Sequence, residues 1–272
     1  MRRTIFVLGA TAACCSAQWL NYPDPLTPRT PDGKPNLTAP APRTSEGKPD
    51  LSGVWASEPA PASPNSAFAG ETFADLLFIS KYALNIFADL KPGEAPMKPG
   101  TATLVQERTA TQHRDSPTSH CLPGGVPFST LIAPFKIIQT PIEIVMLLED
   151  NNPPRQIYLD GRPLPKDPEP SWMGYSSGKW DGDTLVVDTI GFQDRSWIDS
   201  VGHPRSEGMR VTERFHRRDF GHMDLEVTFN DPKYYTRPFT VKAPIRLLPD
   251  SDVLESICAE GEKDRVHLDS RQ

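Results

Sequence analysis

Residues 210–230 decide the fold, and they read RVTERFHRRDFGHMDLEVTFN. Apolar and polar residues alternate on both sides of the central Asp219-Phe220-Gly221, a period of two that is typical of half-buried β-strands. A three-residue loop at this point pairs Arg218 with His222 and places the apolar residues of both strands on one face. Because a slip of one residue would move one set to the opposite face, the pattern predicts a hairpin in this register.

The predicted register also fixes the neighbours of the charged residues in the hairpin. It sets His216 opposite Asp224 and Arg214 opposite Glu226, two cross-strand pairs of opposite charge. Glu213, by contrast, is turned towards the apolar face.

A carboxylate on an apolar face is costly unless it is paired or protonated, so the placement of Glu213 has two interpretations. Glu213 could be a general acid or base whose pKa is shifted by burial. Alternatively, it is half of a buried ion pair that stabilises the fold, with a partner among Arg155, Arg162 and Arg195.

The period of two continues over most of the chain after residue 135. Predicted strands span 136–139, 142–149, 155–160, 174–180, 184–190, 210–218, 223–230, 239–242 and 253–258. An Asp181-Gly182 pair between two of them predicts a type I′ turn. Short strands separated by Pro, Gly and Asp are typical of antiparallel all-β domains. The fold class is therefore mainly β, an antiparallel β-barrel or sandwich of lipocalin-like form.

One helix is predicted ahead of these strands, at residues 73–90. Thr72 and Asp75 have the form of a capping box, apolar residues share one broad face, and Lys91-Pro92-Gly93 ends the pattern. We expect this helix to pack on the sheet. Residues 52–272 then form a single β-rich domain.

A Pro-rich arm precedes this domain at residues 18–51, and its composition predicts weak order. The arm holds a duplication with a spacing of 14 residues, RTPDGKPNL at 29–37 and RTSEGKPDL at 43–51. Two copies are too few for a repeat domain, so the duplication indicates a turn-forming tether that lies along the surface.

The N-terminus has the form of a secretory signal peptide, assigned to residues 1–17. Two arginines precede an apolar run that ends near Cys15, and the small residues Cys15 and Ala17 suit cleavage before Gln18. The run is too short to span a bilayer, and no later stretch is apolar enough for a transmembrane segment. We therefore expect export to the periplasm or the extracellular space. Acylation of Cys14 or Cys15 is an alternative that the sequence leaves open.

Cleavage at this site removes two of the four cysteines and leaves Cys121 and Cys258. In an oxidising compartment these two are expected to form a disulfide. The alternative is two separate buried thiols. No cysteine metal site is predicted, because neither residue has a second cysteine nearby.

The charge of the chain argues against nucleic acid as a partner. The chain has 29 Lys and Arg residues and 35 Asp and Glu residues, which gives a net charge of −6. It also has no long cluster of basic residues that could follow a phosphate backbone. Motifs of nucleotide-binding loops, nucleophile elbows and zinc-binding helices are absent from the sequence. No cofactor and no metal is predicted, and the oligomeric state stays open.

Aromatic and charged residues are concentrated between residues 160 and 197. Aromatic faces beside Asp and Arg suit a sugar-like or aromatic small molecule, which stacks on the rings while the polar groups orient it. The predicted ligand-binding residues are Trp172, Trp180, Trp197, Arg162, Asp188 and Arg195. The alternative is that the aromatic residues are ordinary core.

His203 is a further candidate for chemistry. Asp199 precedes it by four residues and Glu207 follows it by four, so an imidazole and a carboxylate could meet for acid and base catalysis. With Glu213, the residues His203 and Asp199 are the predicted catalytic set. A solvated loop histidine is the simpler interpretation.

Two motifs carry a resemblance to a known group of proteins. DLSGVW at 50–55 and WMGYSSGKWDGDTLVVDTIGF at 172–192 resemble motifs of an uncharacterised exported family of acidobacteria and some proteobacteria. The resemblance runs from residue 43 to the C-terminus, implies export and a shared fold, and adds no mechanism. A histidine often stands in that group where this chain has Arg205, which argues against a catalytic role of His203.

The sequence therefore predicts an exported protein that binds a small sugar-like or aromatic molecule in a β-barrel cavity. One alternative is a cofactor-independent lyase, isomerase or hydrolase that uses the buried carboxylate or the pair of His203 and Asp199. Another is a structural or interaction protein of the cell envelope.

Overall fold

The computed structural model describes residues 22–58 and 78–261. The predicted signal peptide and the first residues of the predicted helix lie outside these ranges. Within them, no helix has the length and apolar character that a membrane span requires.

The described residues contain ten strands, all in one sheet. They are β1 Gly53–Ser57, β2 Phe135–Gln139, β3 Glu143–Leu148, β4 Arg155–Tyr158, β5 Tyr175–Asp181, β6 Thr184–Ile190, β7 Arg210–Arg217, β8 His222–Asn230, β9 Phe239–Lys242 and β10 Ile245–Leu247. Short helices accompany them: α1 Lys81–Leu84, α2 Pro99–Ala110, α3 Phe128–Ile132 and α4 Cys258–Gly261, with a 3-10 turn at Thr118–His120.

The sheet closes into a barrel of nine strands. The strand β10 pairs with β1 on one side and with β8 on the other, through Ile245 opposite Met223 and Arg246 opposite His222. The strand β9 adds to β8 outside the closed ring. The predicted mainly β, antiparallel barrel is therefore confirmed.

One pair of neighbouring strands, β4 and β5, is parallel, with Ile157 opposite Ser176. The other neighbours in the ring run antiparallel. Directions cannot alternate all the way around a ring with an odd number of strands, so closing nine strands requires one parallel pair. The connection 159–174 returns along the barrel between these two strands.

The predicted register of the β7–β8 hairpin is confirmed. His216 lies opposite Asp224 and Arg214 opposite Glu226. The inward-facing positions of the barrel carry a continuous apolar core, whose largest members include Trp55, Phe135, Phe215 and Phe229, each at most 1% exposed. The described interior of the barrel is thus filled by side chains.

The predicted helix at 73–90 is wrong where the structure describes it, because only Lys81–Leu84 is helical. Ser80 caps this turn, and Asn85 leaves it in an extended conformation. The Asn85 side chain accepts the N–H of Phe87 at 2.9 Å, which offers the backbone an alternative to the helix. The sequence analysis did not predict α2, for which the main local signal is Pro99 at the first helical position.

The predicted strand at 253–258 is also wrong, since residues 253–257 lie outside any strand and Cys258 begins α4. In this segment the N–H of Val253 bonds to the Asp252 side chain at 2.9 Å and the N–H of Leu254 bonds to the Glu149 side chain at 3.2 Å, so these two donors are not free for a strand ladder. The predicted type I′ turn is wrong in detail. Asp181 pairs with Thr184 as the last residue of β5, and Gly182 takes a φ of 60° at the first turn position. Asp183, at the second turn position, does not have the positive φ that a type I′ turn requires, so the turn is of type II′.

The Pro-rich arm is ordered over residues 22–51, contrary to the expectation of weak order. Each copy of the duplication folds into the same turn, with bridges from Arg29 to Pro35 and from Arg43 to Pro49. The same arginine of each copy forms a bidentate ion pair, Arg29 with Asp250 and Arg43 with Asp183. The two copies thus form turns, as the sequence predicted.

The arm covers one end of the barrel, which we call the arm end. Backbone bonds join it to the β7–β8 loop, from Phe220 N–H to Ala39 at 2.7 Å and from Gly221 N–H to Leu37 at 2.8 Å. A side chain at Gly221 would come within 2.5 Å of the Leu37 side chain, so glycine permits this close approach. The buried Arg217 adds bonds to the arm, and burial lowers its pKa to about 10.

Candidate functional site

The long connections of the barrel gather at the end opposite the arm, which we call the loop end. Residues 111–134 lead into β2 at this end, and residues 191–209 connect β6 to β7 at the same end. Binding sites are commonly built on loops that a rigid scaffold positions. The candidate site lies between these two connections.

A cleft of about 210 Å³ opens between the two connections. We call it the hydroxyl cleft, because five of its lining residues carry a hydroxyl group. Its lining residues are His113, Ser116, Pro117, Thr118, Ser119, Gly124, Phe128, Ser196, Trp197, Asp199 and Ser200. The aromatic Trp197 and Phe128 are buried and form its apolar part.

Local backbone features hold the first wall of the cleft, at residues 113–124, in place. His113 and Cys121 have left-handed backbone conformations, each with a φ of 55°. The predicted disulfide between Cys121 and Cys258 is confirmed. It ties the end of the 3-10 turn to α4. Asn151 donates to the Cys121 carbonyl at 2.8 Å, so the wall is anchored from two sides.

The second wall, residues 196–200, is fixed by Asp199, whose carboxylate is buried. Its Oδ1 accepts the N–H groups of Gly202 and His203, each at 3.0 Å. Its Oδ2 accepts the N–H of Ile86 at 2.7 Å and the Nδ1–H of His203 at 2.6 Å. All four of these hydrogen bonds come from the loop of Asp199 itself and from Ile86, which follows α1. The carboxylate therefore holds these two segments together.

The predicted meeting of His203 and Asp199 occurs, whereas Glu207 forms no hydrogen bond or ion pair with either residue. A carboxylate can only accept, so the bond to Asp199 places the proton of neutral His203 on Nδ1. The imidazole is 3% exposed and meets the Phe87 ring edge to face at 4.9 Å. His203 is not among the residues that line the hydroxyl cleft.

His113, which lines the cleft, and Arg108, which stacks on the cleft residue Trp197, each have one buried side-chain nitrogen without a hydrogen-bond partner among the described residues. The Arg108 guanidinium lies 4.5 Å over the Trp197 ring and donates to the Gly202 carbonyl at 2.6 Å. Burial lowers its pKa. The Nε2 atom of His113 is buried and has no hydrogen-bond partner among the described residues. An unpaired buried polar atom is costly, so His113 is a candidate ligand contact.

Glu213, the third predicted catalytic residue, lies inside the barrel and away from the cleft. Both of its carboxylate oxygens accept hydrogen bonds from Arg155, with Nη1 to Oε1 at 3.1 Å. Arg155 also donates to Thr189 at 3.0 Å and to Ser176 at 3.3 Å. Every member of this network is buried. The arrangement favours the ion-pair interpretation of Glu213 over that of a general acid or base.

The predicted ligand-binding residues do not form one wall. Only Trp197 lines the hydroxyl cleft. Arg162 is paired with Asp160 and lies 3.7 Å over Tyr158, while Asp188 is paired with Arg210 on the outer face of the barrel. Trp180 packs against the barrel core. Arg195 lies 5.8 Å over Trp172.

Another arginine, Arg205, holds the loops of this end together. It is fully buried and donates to the carbonyls of Gln193 at 2.9 Å, Val126 at 3.0 Å and Trp172 at 3.2 Å. Burial lowers its pKa to about 9, and no acidic side chain within residues 22–58 and 78–261 forms an ion pair with it. Arg205 thus joins three segments of chain around the site and does not line the cleft.

Sequence reasoning missed most of the cleft. Its hydroxyl residues come from two segments that are separated by about 80 residues, and only the short run SPTSH at 116–120 gives a local signal. Comparisons with protein-family models, with curated proteins and with solved structures found no match for this chain.

Proposed function

We propose that this protein is exported and binds a small, hydroxyl-rich molecule of sugar-like kind in the hydroxyl cleft. The observation that carries the proposal is the lining, with five hydroxyl side chains beside Trp197 and the unpaired Nε2 of His113. Hydroxyl groups both donate and accept, so they match a ligand whose own hydroxyl groups do the same.

The site proposed differs in position from the barrel cavity that the sequence suggested. The described interior of the barrel is occupied by aromatic side chains and by the pair of Arg155 and Glu213. The cleft of about 210 Å³ lies below the range of roughly 300–1,000 Å³ that is typical of drug-sized ligands. A ligand the size of a single sugar or a small polyol fits this volume better than an extended chain.

Export is supported by two observations that are independent of the cleft. The first 17 residues have the composition of a signal peptide. The disulfide between Cys121 and Cys258 is of the kind that persists in oxidising compartments.

A screen by thermal unfolding tests the proposal, with single sugars and small polyols as probes. A ligand at about 100 times its dissociation constant should stabilise the protein by about 2.7 kcal/mol. Ser119→Phe fills the cleft and should abolish the stabilisation, whereas Ser45→Phe on the exposed arm should leave it unchanged. Equal stabilisation of both variants, or none across the panel, would contradict the proposal.

The short bond between His203 and Asp199 favours a second candidate, a cofactor-independent enzyme that acts at the same cleft. Asp199 lines the cleft and His203 does not, so Asp199 would be the base and His203 would position its carboxylate. In that case His203→Gln would remove turnover of the bound compound while binding persists. A bound compound that stays chemically unchanged over hours would exclude this candidate.

A further inference from the structure

A second groove lies on the outer wall of the barrel, where the ring closes between β8 and β10. Its lining residues are Glu58, Arg218, Asp219, His222 and Arg246, and none of them lines the hydroxyl cleft. We call it the seam groove. We propose that the seam groove binds a small carboxylate that carries a neighbouring hydroxyl group, with Arg246 holding the carboxylate and His222 accepting from the hydroxyl.

The barrel register brings these two side chains together. Arg246 and His222 are direct partners across the two residue pairs that join β10 to β8. Their neighbours Ile245 and Met223 are fully buried in the core. Since successive side chains of a strand alternate between faces, Arg246 and His222 both point outwards, at the distance of a cross-strand pair.

Arg246 is held in position, but no carboxylate among the described residues pairs with it. Its guanidinium lies 5.6 Å from the centre of the Phe78 ring. Its Nε atom is buried and has no hydrogen-bond acceptor within the described ranges. A buried donor of this kind calls for an acceptor, and the planar guanidinium matches the two oxygens of a carboxylate.

The other cation of the seam groove is already paired. Arg218 contacts Glu58 at 3.4 Å and Asp224 at 3.2 Å. Glu58 also lines the groove, and its negative charge disfavours a ligand with two charges. The arrangement therefore fits a singly charged carboxylate better than a phosphate dianion.

His222 supplies the second contact, because Asp219 fixes its ring. Its Nδ1 donates to both carboxylate oxygens of Asp219, at 2.8 and 3.0 Å. Asp219 is itself held by the N–H groups of Gly221 and His222. With the proton of the neutral ring on Nδ1, the Nε2 atom is an acceptor. The partner that Nε2 requires on the ligand is a hydroxyl or another donor.

Titration of the full chain by NMR, with glycolate, acetate and glycolamide as probes, tests this inference. Glycolate should bind with a dissociation constant of about 1 mM, a modest affinity of about −4 kcal/mol. Acetate lacks the hydroxyl and should bind several-fold more weakly. Glycolamide lacks the charge and should not bind. Equal binding of glycolate and glycolamide, or no binding of glycolate at about 50 mM, overturns the inference.

Variants locate the site. Arg246→Gln should weaken glycolate binding by about tenfold or more, and His222→Phe should lower glycolate affinity to that of acetate. Arg210→Gln is the matched control, because Arg210 is an exposed arginine of the outer wall that pairs with Asp188. Unchanged binding in Arg246→Gln overturns the inference. If that variant fails to fold, Arg246→Lys keeps the charge without the planar fork and should still weaken binding several-fold.

Discussion

Arg155 of β4 and Glu213 of β7 form an ion pair across the barrel interior, although β5 and β6 separate their strands in the sheet. Both side chains are at most 1% exposed. Ser176 and Thr189, on the two intervening strands, complete the network. A charged pair at this place ties four consecutive strands to one another across the core.

We predict that Glu213→Gln destabilises the protein by about 3–5 kcal/mol, because Arg155 would stay buried without a counter-charge. The double variant Arg155→Met, Glu213→Leu should be far less destabilised, since it removes both charges together. Unfolding in urea measures both. If the double variant lost as much stability as the single one, packing rather than charge would be the cause.

The disulfide has a measurable consequence for stability. Cys121 and Cys258 are 137 residues apart, so the bond closes a large loop in the unfolded chain. Removing it through Cys121→Ser with Cys258→Ser should cost up to about 5 kcal/mol in the chain-entropy view. Urea unfolding of the variant, compared with that of the oxidised wild type, measures this cost, and the reduced wild type is the control for the serine substitutions themselves. A difference below about 1 kcal/mol would show that the unfolded chain gains little freedom when the bond is lost.

The arm should separate from the barrel in acid. The ion pair with Arg43 lowers the pKa of Asp183, and that with Arg29 lowers the pKa of Asp250, below the usual 3.8. A carboxyl group with a lowered folded-state pKa stabilises fully above its unfolded-state pKa and loses that contribution as the pH falls through the folded-state value. The protection of the backbone amides of residues 43–51, measured by hydrogen exchange and corrected for the intrinsic rate at each pH, should therefore fall below about pH 4.

Asp183→Asn offers the control for this acid release. At pH 7 it should raise exchange in the second copy of the duplication, while the first copy stays protected by Arg29 and Asp250. Exchange that rises equally in both copies would mean that the arm is released as one unit.

Replacing each of two glycines with alanine should change the free energy of unfolding in opposite directions. Gly182 has a φ of 60° in the β5–β6 turn, so Gly182→Ala should destabilise by about 1 kcal/mol. Gly100 lies in the first turn of α2 with nothing within 4 Å of an added Cβ, so Gly100→Ala should stabilise by about 0.5–1 kcal/mol. Thermal unfolding of both variants checks the pair. Destabilisation by Gly100→Ala would contradict the helical assignment.

The sequence predicted the features that depend on local periodicity. The alternation around residues 219–221 gave the register of the β7–β8 hairpin, and with it the inward position of Glu213. The cysteine count gave the disulfide. The register could be predicted because a period of two allows only one alignment that keeps the apolar residues on one face. The disulfide could be predicted because only two cysteines remain after the predicted cleavage. The resemblance to the exported family stays a prediction.

Local patterns failed where a distant residue decides the backbone. The helix predicted at 73–90 ends at Leu84, where Asp199, 113 residues further along, binds the N–H of Ile86. The predicted strand at 253–258 does not form, and the N–H of Leu254 bonds there to the side chain of Glu149, 105 residues away. In both cases the competing contact is invisible in a short window of sequence.

Spacing along the chain was enough to predict the β-rich class, the hairpin register, the turns of the arm and the disulfide. The folded barrel was needed to show which of three arginines meets Glu213, how nine strands close with one parallel pair, and where the two clefts lie. Closure of the barrel brings together side chains that are far apart in sequence, and no local pattern encodes those pairings. Ser119 and Ser200 line the same cleft although they belong to two distant connections, and His222 pairs with Arg246 where β8 and β10 close the ring.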